Sequence, residues 1–243
     1  MLEPRLLRFR FGAHIMSSAD QETFESARRE LFSAVIGDVM DKMGLLQQFL
    51  PPAIVPLDRS MVVCGRAMTV LEADVFDESV AGSHNPLSAR PFGLMMDALD
   101  DLKLDEVYIC TGASPRYALW GELMSVRAGK CGAAGAVVDG YSRDTRGVLA
   151  LGFPTFSHGS YAQDQGPRGK VIDFRIPIQI GQARVVPGDI IFGDLDGVCV
   201  VPRAAEEQVL ARAFEKARKE KTVRKALEEG MPSKAAFEKF GIL

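Results

Sequence analysis

The chain predicts an α/β domain followed by a C-terminal helical arm, and three observations lead there. Short apolar strands alternate with helical patterns as far as about Val201, the signature of helices packed on a sheet. Glycine- and proline-containing turns such as Gly181-Gln182 and Pro187-Gly188-Asp189 separate the later strands. From Arg203 to Lys239 the pattern becomes charged and amphipathic, with a break near Gly230–Pro232. The expected division is an N-terminal extension over residues 1–20, the α/β domain over 21–202 and the arm over 203–243.

Taken in order, Gln21 to about Met43 reads as helix, because Phe24, Leu31, Val35, Val39 and Met43 recur near helical spacing. Gly44 stands where a left-handed cap would end it. Leu50-Pro51-Pro52 marks an extended connection, since proline disfavours helix at itself and at its predecessor. Met61-Val-Val-Cys and Ala67-Met-Thr-Val form a strand around Gly65, and Phe76–Phe92 reads as a surface loop. Met95–Leu102 is a short helix and Glu106–Cys110 a buried strand. Trp120–Lys130 is a helix expected to place Leu119, Leu123 and Val126 on one face, with Gly129 and Gly132 ending it. Gly135–Asp139 is a buried strand, a helical turn follows Asp144, and Phe153–Phe156 is another strand.

Composition bounds the function. Formal charge is −3, from 29 basic and 32 acidic residues, so no basic field points to nucleic acid or to an anionic membrane. No run approaches the ~18 consecutive apolar residues of a spanning helix. Met1–Met16, with Arg5, Arg8 and Arg10, lacks the uninterrupted apolar stretch of a secretory signal and reads as an extension or an upstream start. Cys64, Cys110, Cys131 and Cys199 are scattered without a CxxC pair, which favours free thiols in a reducing, cytoplasmic compartment. Three dispersed histidines do not suggest a zinc cluster.

The chemistry gathers in one segment: Gly121-Glu122-Leu123-Met124, then twenty residues after Glu122, then Arg143-Asp144. A helix and a strand lie between, so the chain leaves a point and returns to it. Free N–H groups around Gly121–Met124 suit a carboxylate. Arg143 offers a planar fork of donors to a carboxylate or enolate oxygen. Asp144 offers hard oxygen to Mg²⁺ or Mn²⁺, and magnesium usually takes only one or two protein carboxylates. Taken singly, Glu122 is also a favourable first-turn acid and Arg143-Asp144 also a surface ion pair. The glycines of Gly129–Gly135 lie between helix and strand, the reverse of a dinucleotide fingerprint, and no Gly-Lys-Ser/Thr run occurs.

Leu119-Trp-Gly-Glu-Leu-Met, Gly135-Ala-Val-Val-Asp-Gly-Tyr-Ser-Arg-Asp, Leu151-Gly-Phe-Pro-Thr-Phe and Pro187-Gly-Asp with Asp194-Leu-Asp-Gly-Val together resemble the RraA-like family. That family includes the class II 4-hydroxy-4-methyl-2-oxoglutarate aldolases. The similarity runs from about Phe32 to Lys219. It implies a compact β/β/α domain, assembled as a homotrimer or a dimer of trimers. It also implies that Gly121, Glu122, Leu123 and Met124 hold the pyruvyl end of a small 2-oxo acid, that Arg143 binds substrate and that Asp144 ligates a divalent metal. Glu122 matches a position that is aspartate in some aldolases, leaving metal ligation and proton transfer both open to it. An acidic group from a neighbouring subunit is implied as well, with Glu206, Glu207, Glu215 and Glu220 as candidates. His158, His84 and Arg116 are further candidates around the pocket. The expected activity is metal-dependent retro-aldol cleavage to pyruvate, with oxaloacetate decarboxylation as a companion. The alternative is a non-catalytic regulator of an RNA-processing endonuclease; that branch typically lacks the aspartate after the arginine, and Asp144 favours the enzyme.

Overall fold

In the computed structural model, residues 18–75 and 86–241 are described. The Met1–Met16 extension, the greater part of the Phe76–Phe92 loop and His84 lie outside them. The expected first helix is two: α1 (Ser18–Glu30) and α2 (Ser33–Lys42). Between them Phe32 is extended, with φ −144° and ψ 155°. The break has a tertiary cause, because Asp194 accepts bonds from both the Ser33 amide and its hydroxyl, each at 2.7 Å. Gly44 adopts φ +78° just beyond α2, as a left-handed cap requires.

The sheet is built around one long strand, β2 (Val63–Asp74). Chain segment β1 (Val55–Pro56) precedes it. Beyond β2 come α3 (Met95–Asp100), β3 (Glu106–Thr111), β4 (Ala118–Trp120), α4 (Glu122–Lys130), β5 (Gly135–Val138), β6 (Tyr141–Ser142), α5 (Thr145–Leu151) and β7 (Thr155–Ser157). They are followed by β8 (Gly169–Phe174), β9 (Ile178–Ile180), β10 (Ala183–Val185), β11 (Ile190–Asp194) and β12 (Gly197–Val201). The arm is α6 (Glu206–Glu228) and α7 (Ser233–Phe240). In the main sheet the order is β1-β7-β5-β3-β2-β11-β12. One edge of β2 pairs in parallel with β3, while its other edge pairs first with β11 and then with β8.

The sheet curls almost into a barrel, and one stretch of chain closes it. Phe49 bridges Cys199 on β12, and the Leu50 amide donates to Val198 at 2.9 Å. A few residues on, Val55 and Pro56 pair with Ser157 and Phe156 of β7. Both faces of the sheet are therefore covered, which explains why its strands are apolar runs without polar alternation. Val107, Ile109, Val137, Phe156, Ile191 and Val198 fill the interior with the β9–β10 hairpin. On the outer face Tyr108, Cys110, Ala136 and Val138 pack with Trp120 and α3 and α4, while Ile190, Phe192 and Val201 pack with α1, α2 and α6. Cys64, Cys110 and Cys199 are buried, and all four cysteines are free thiols. No described helix is long and apolar enough to cross a membrane.

Candidate active site

A separate two-stranded ladder builds the site. β4 and β6 run parallel, with Ala118 opposite Tyr141 and Trp120 opposite Ser142. The ladder is anchored through Trp120, whose ring lies 4.9 Å from Tyr108 and 6.0 Å from Phe153, and whose indole N–H donates to Ser125 Oγ at 2.8 Å. One more bond, from the Arg143 amide to the Trp120 carbonyl at 2.9 Å, carries the pairing to the strand ends. Both strands then stop together, one at Gly121-Glu122 and the other at Arg143-Asp144. The sequence separation of these pairs is the length of α4 and β5, which leave the ladder and return to it.

Gly121 is extended, with φ −164° and ψ −176°, and caps α4. The first intrahelical bond is donated by Ser125 to the Gly121 carbonyl at 3.0 Å, so the amides of Glu122, Leu123 and Met124 precede it at the positive end of the helix. A Cβ at Gly121 would stand 2.9 Å from Asp144 Oδ2 and 3.4 Å from Arg143 Cγ. Glycine here is a matter of space: it lets Arg143 and Asp144 close onto the helix entrance. Asp144 takes a left-handed conformation, φ 52° and ψ 33°, which turns the chain from β6 into α5. Glu122 folds toward α5, where a Cβ at Gly147 would meet its carboxyl carbon at 2.3 Å. The structure thus gathers Gly121, Glu122, Arg143 and Asp144.

Leu123 and Val126 depart from the sequence expectation. They were expected to bury one face of α4 with Leu119, yet Leu119 belongs to β4 and is buried, whereas Leu123 is 82% and Val126 40% exposed. α4 instead buries Ser125 and Ala128. Its turn begins two residues later than the pattern indicated, because Trp120 is consumed by the ladder. Leu149 and Leu151 of α5, the neighbouring helix, are also exposed.

Arg143 lies between two carboxylates. Its Nε is 3.6 Å from Asp144 Oδ2 and its Nη1 is 2.9 Å from Asp164 Oδ1. Asp164 has no motif or periodicity to mark it; only the return of the 159–168 loop along β6 and β4 places it there. His158 ends up beside Asp139, with Nε2 3.2 Å from Oδ1, while Thr111 donates to the other Asp139 oxygen at 2.7 Å. The His158 ring meets Tyr141 edge-on at 5.9 Å. Arg116 pairs with Asp74 at 3.0 Å. Burial alone would raise the Asp74 carboxyl, but bonds from Ser114, Tyr117 and Arg116 outweigh it and hold it at about 2. Of the arm's acids, Glu206 is engaged by Arg66, Glu215 by Lys219 and Glu220 by Lys216.

Among the described residues no group of three or more His, Cys, Asp or Glu could hold a metal ion. The donor chemistry present is one or two carboxylates, Asp144 and Glu122, which suits Mg²⁺ or Mn²⁺ retaining its waters and does not suit zinc. A depression of about 440 Å³ lined by residues 49–52, Gln182, Asp196 and Gly197 shares no residue with this site.

Comparison with known proteins agrees with the architecture. A protein of Halalkalibacterium halodurans, provisionally named 4-hydroxy-4-methyl-2-oxoglutarate aldolase, is 32% identical over 91% of this chain and 96% of its own length. A crystal structure described among novel cellulases from gut-associated microbes superposes with a TM-score of 0.75, at 30% identity over 87% of this chain and 90% of that one. Streptomyces coelicolor RraAS2, described as an unusual member of the RNase ES inhibitor RraA family, shares the fold with a TM-score of 0.72. It is 22% identical over 86% of this chain and 99% of its own. Residues 33–200 match the family described as RraA-like, Aldolase/RraA, and the chain belongs to that RraA-like family.

Proposed function

We propose that this chain is a divalent-metal-dependent aldolase that cleaves 4-hydroxy-2-oxo acids of the 4-hydroxy-4-methyl-2-oxoglutarate type to pyruvate. The observation that carries the reading is the ladder register that closes Arg143 and Asp144 onto the amides at the start of α4. Those amides, at Glu122, Leu123 and Met124, would hold the substrate carboxylate. Arg143 would donate to the oxygen on which enolate charge develops, where preorganised donors count most. Asp144 would hold the cation, with Glu122 beside it. When bound, the cation supplies Lewis-acid polarisation of the 2-oxo group.

In the cleavage the hydroxyl proton leaves, the carbon–carbon bond breaks and its electron pair passes to the pyruvyl fragment as an enolate, which is then protonated. Loss of CO₂ from oxaloacetate passes through the same enolate, so decarboxylation belongs to the same site. The reading also carries assembly as a homotrimer or dimer of trimers, in which an acidic residue of a neighbouring copy assists. The exposed Leu123, Val126, Leu149 and Leu151 support it as apolar surface beside the site. A cytoplasmic setting and no nucleic-acid or membrane partner complete the reading.

The test is release of pyruvate from 4-hydroxy-4-methyl-2-oxoglutarate and from oxaloacetate with Mg²⁺ or Mn²⁺ present. Turnover of either is expected, and Asp144→Ala should abolish it while the chain stays folded. No pyruvate from either substrate would sink the proposal and return weight to a regulatory role.

A further inference from the structure

We propose that Asp164 is the positioning residue for Arg143. The inference rests on the reading that Arg143 steadies the enolate of a 2-oxo acid. Two carboxylates take two different corners of the guanidinium: Asp164 Oδ1 lies 2.9 Å from Nη1 and Asp144 Oδ2 lies 3.6 Å from Nε. Neither closest approach is through Nη2, the corner assigned here to the substrate. An arginine at a strand end, with its side chain 37% exposed, otherwise samples many rotamers, and freezing it costs conformational entropy. An ion pair already in place meets that cost before substrate arrives.

The loop that presents Asp164 is tied down on both sides. The Ala118 amide of β4 donates to the Gln163 carbonyl at 2.8 Å, and Arg168 Nη1 donates to the Asp164 carbonyl at 2.9 Å. The Gln165 carbonyl accepts from the Arg168 and Gly169 amides at 2.7 and 3.0 Å. A Cβ at Gly166 would stand 2.8 Å from Asp164 Oδ2, so the small residue leaves room for the carboxylate to fold over its own loop. Asp164 is therefore fixed from its backbone and holds Arg143 in place; it does not act as a lid that withdraws. The arrangement also has a charge consequence. Two carboxylates around one guanidinium leave a net negative charge, which opposes an anionic substrate until a divalent cation offsets it.

The experiment compares wild type, Asp164→Asn and Asp164→Leu for kcat and KM in pyruvate release, and for oxalate affinity by calorimetry with Mg²⁺. Asparagine keeps an oxygen facing Nη1 without the charge; leucine keeps the bulk without that oxygen. Expected for D164N is kcat within about threefold of wild type with a lower KM. For D164L a kcat loss of at least ~10-fold and oxalate binding ~10-fold weaker are expected, with an unchanged thermal midpoint. Equal losses in both variants would overturn positioning in favour of charge. Wild-type kcat with lowered KM in both would make Asp164 a mere competitor, and unchanged kinetics in both would deny it any role. If wild type releases no pyruvate the aldolase reading fails by itself, and the oxalate affinities still decide whether Asp164 governs Arg143: equal affinities in all three proteins overturn the inference.

Discussion

Replacing Glu72 by glutamine should make the protein more stable at neutral pH, by an amount that grows with pH. Glu72 sits near the end of β2 at 2% exposure, and its Oε1 has no hydrogen-bond partner. That oxygen presses toward Gly169, where a Cβ would lie 2.6 Å away, and Oε2 is 3.8 Å from the Cys110 thiol. Burial pushes the carboxyl from an ordinary 4.5 up to about 8; the Cys110 bond opposes this and the nearby Asp74 charge adds to it. Below pH 4.5 both folded and unfolded chains hold the proton. Between 4.5 and about 8 the unfolded chain has released it and the native chain has not, so stability falls as pH rises through that window. At ~1.4 kcal/mol per unit, the loss is about 3 kcal/mol by pH 7 and about 5 kcal/mol above pH 8. Glutamine removes the titration while keeping the shape. Urea unfolding of both proteins at pH 5, 6, 7 and 8 should show curves that nearly coincide at pH 5 and separate to about 3 kcal/mol by pH 7. A separation that stays constant across the series would refute the reasoning, since Glu72 would then titrate as an ordinary carboxylate.

Three other changes have defined outcomes. Gly121→Ala fits the extended backbone but places Cβ 2.9 Å from Asp144 Oδ2; Mn²⁺ affinity should fall ~10-fold, equivalent to ~1.4 kcal/mol, without a comparable loss of thermal midpoint, as read by calorimetry beside a melt. Ser33→Ala removes the hydroxyl bond to Asp194 while leaving the amide bond, and should cost ~1–2 kcal/mol in urea unfolding. Leu123→Asp puts a charge on the exposed face of α4; a smaller assembly than wild type by sedimentation and reduced pyruvate release are expected, and an unchanged sedimentation coefficient would contradict a role for that face in assembly.

Much of the architecture was legible because it depends on local chemistry. Glycine and proline punctuate the β-rich second half, and the apolar runs of β2, β3 and β5 announce strands buried on both faces. The α1–α2 break was not legible, because the agent is Asp194, 161 residues from Ser33. Periodicity also misassigned the entry to α4: Leu119 and Trp120 fit a helical pattern equally well, and only pairing with β6 makes them strand. At the site, the spacing of Gly121-Glu122 and Arg143-Asp144 was readable since one ladder joins them. Asp164 was not, because its place is set by how a loop without periodicity returns along β6 and β4. The arm's acids offered four equal candidates by sequence; among the described residues Glu206, Glu215 and Glu220 are held in ion pairs, which sets Glu207 apart from the other three.

The stretch between Phe49 and Leu57 has a consequence for how the molecule opens. It lies along β12 with one end and along β7 with the other, so the two borders of the sheet share a single strap. A border strand elsewhere frays alone and offers its unpaired amides to other chains. Here, releasing the strap from β7 slackens it on β12, so the amides of both should exchange with solvent in one cooperative step, and these borders are guarded against edge-to-edge aggregation until that step occurs.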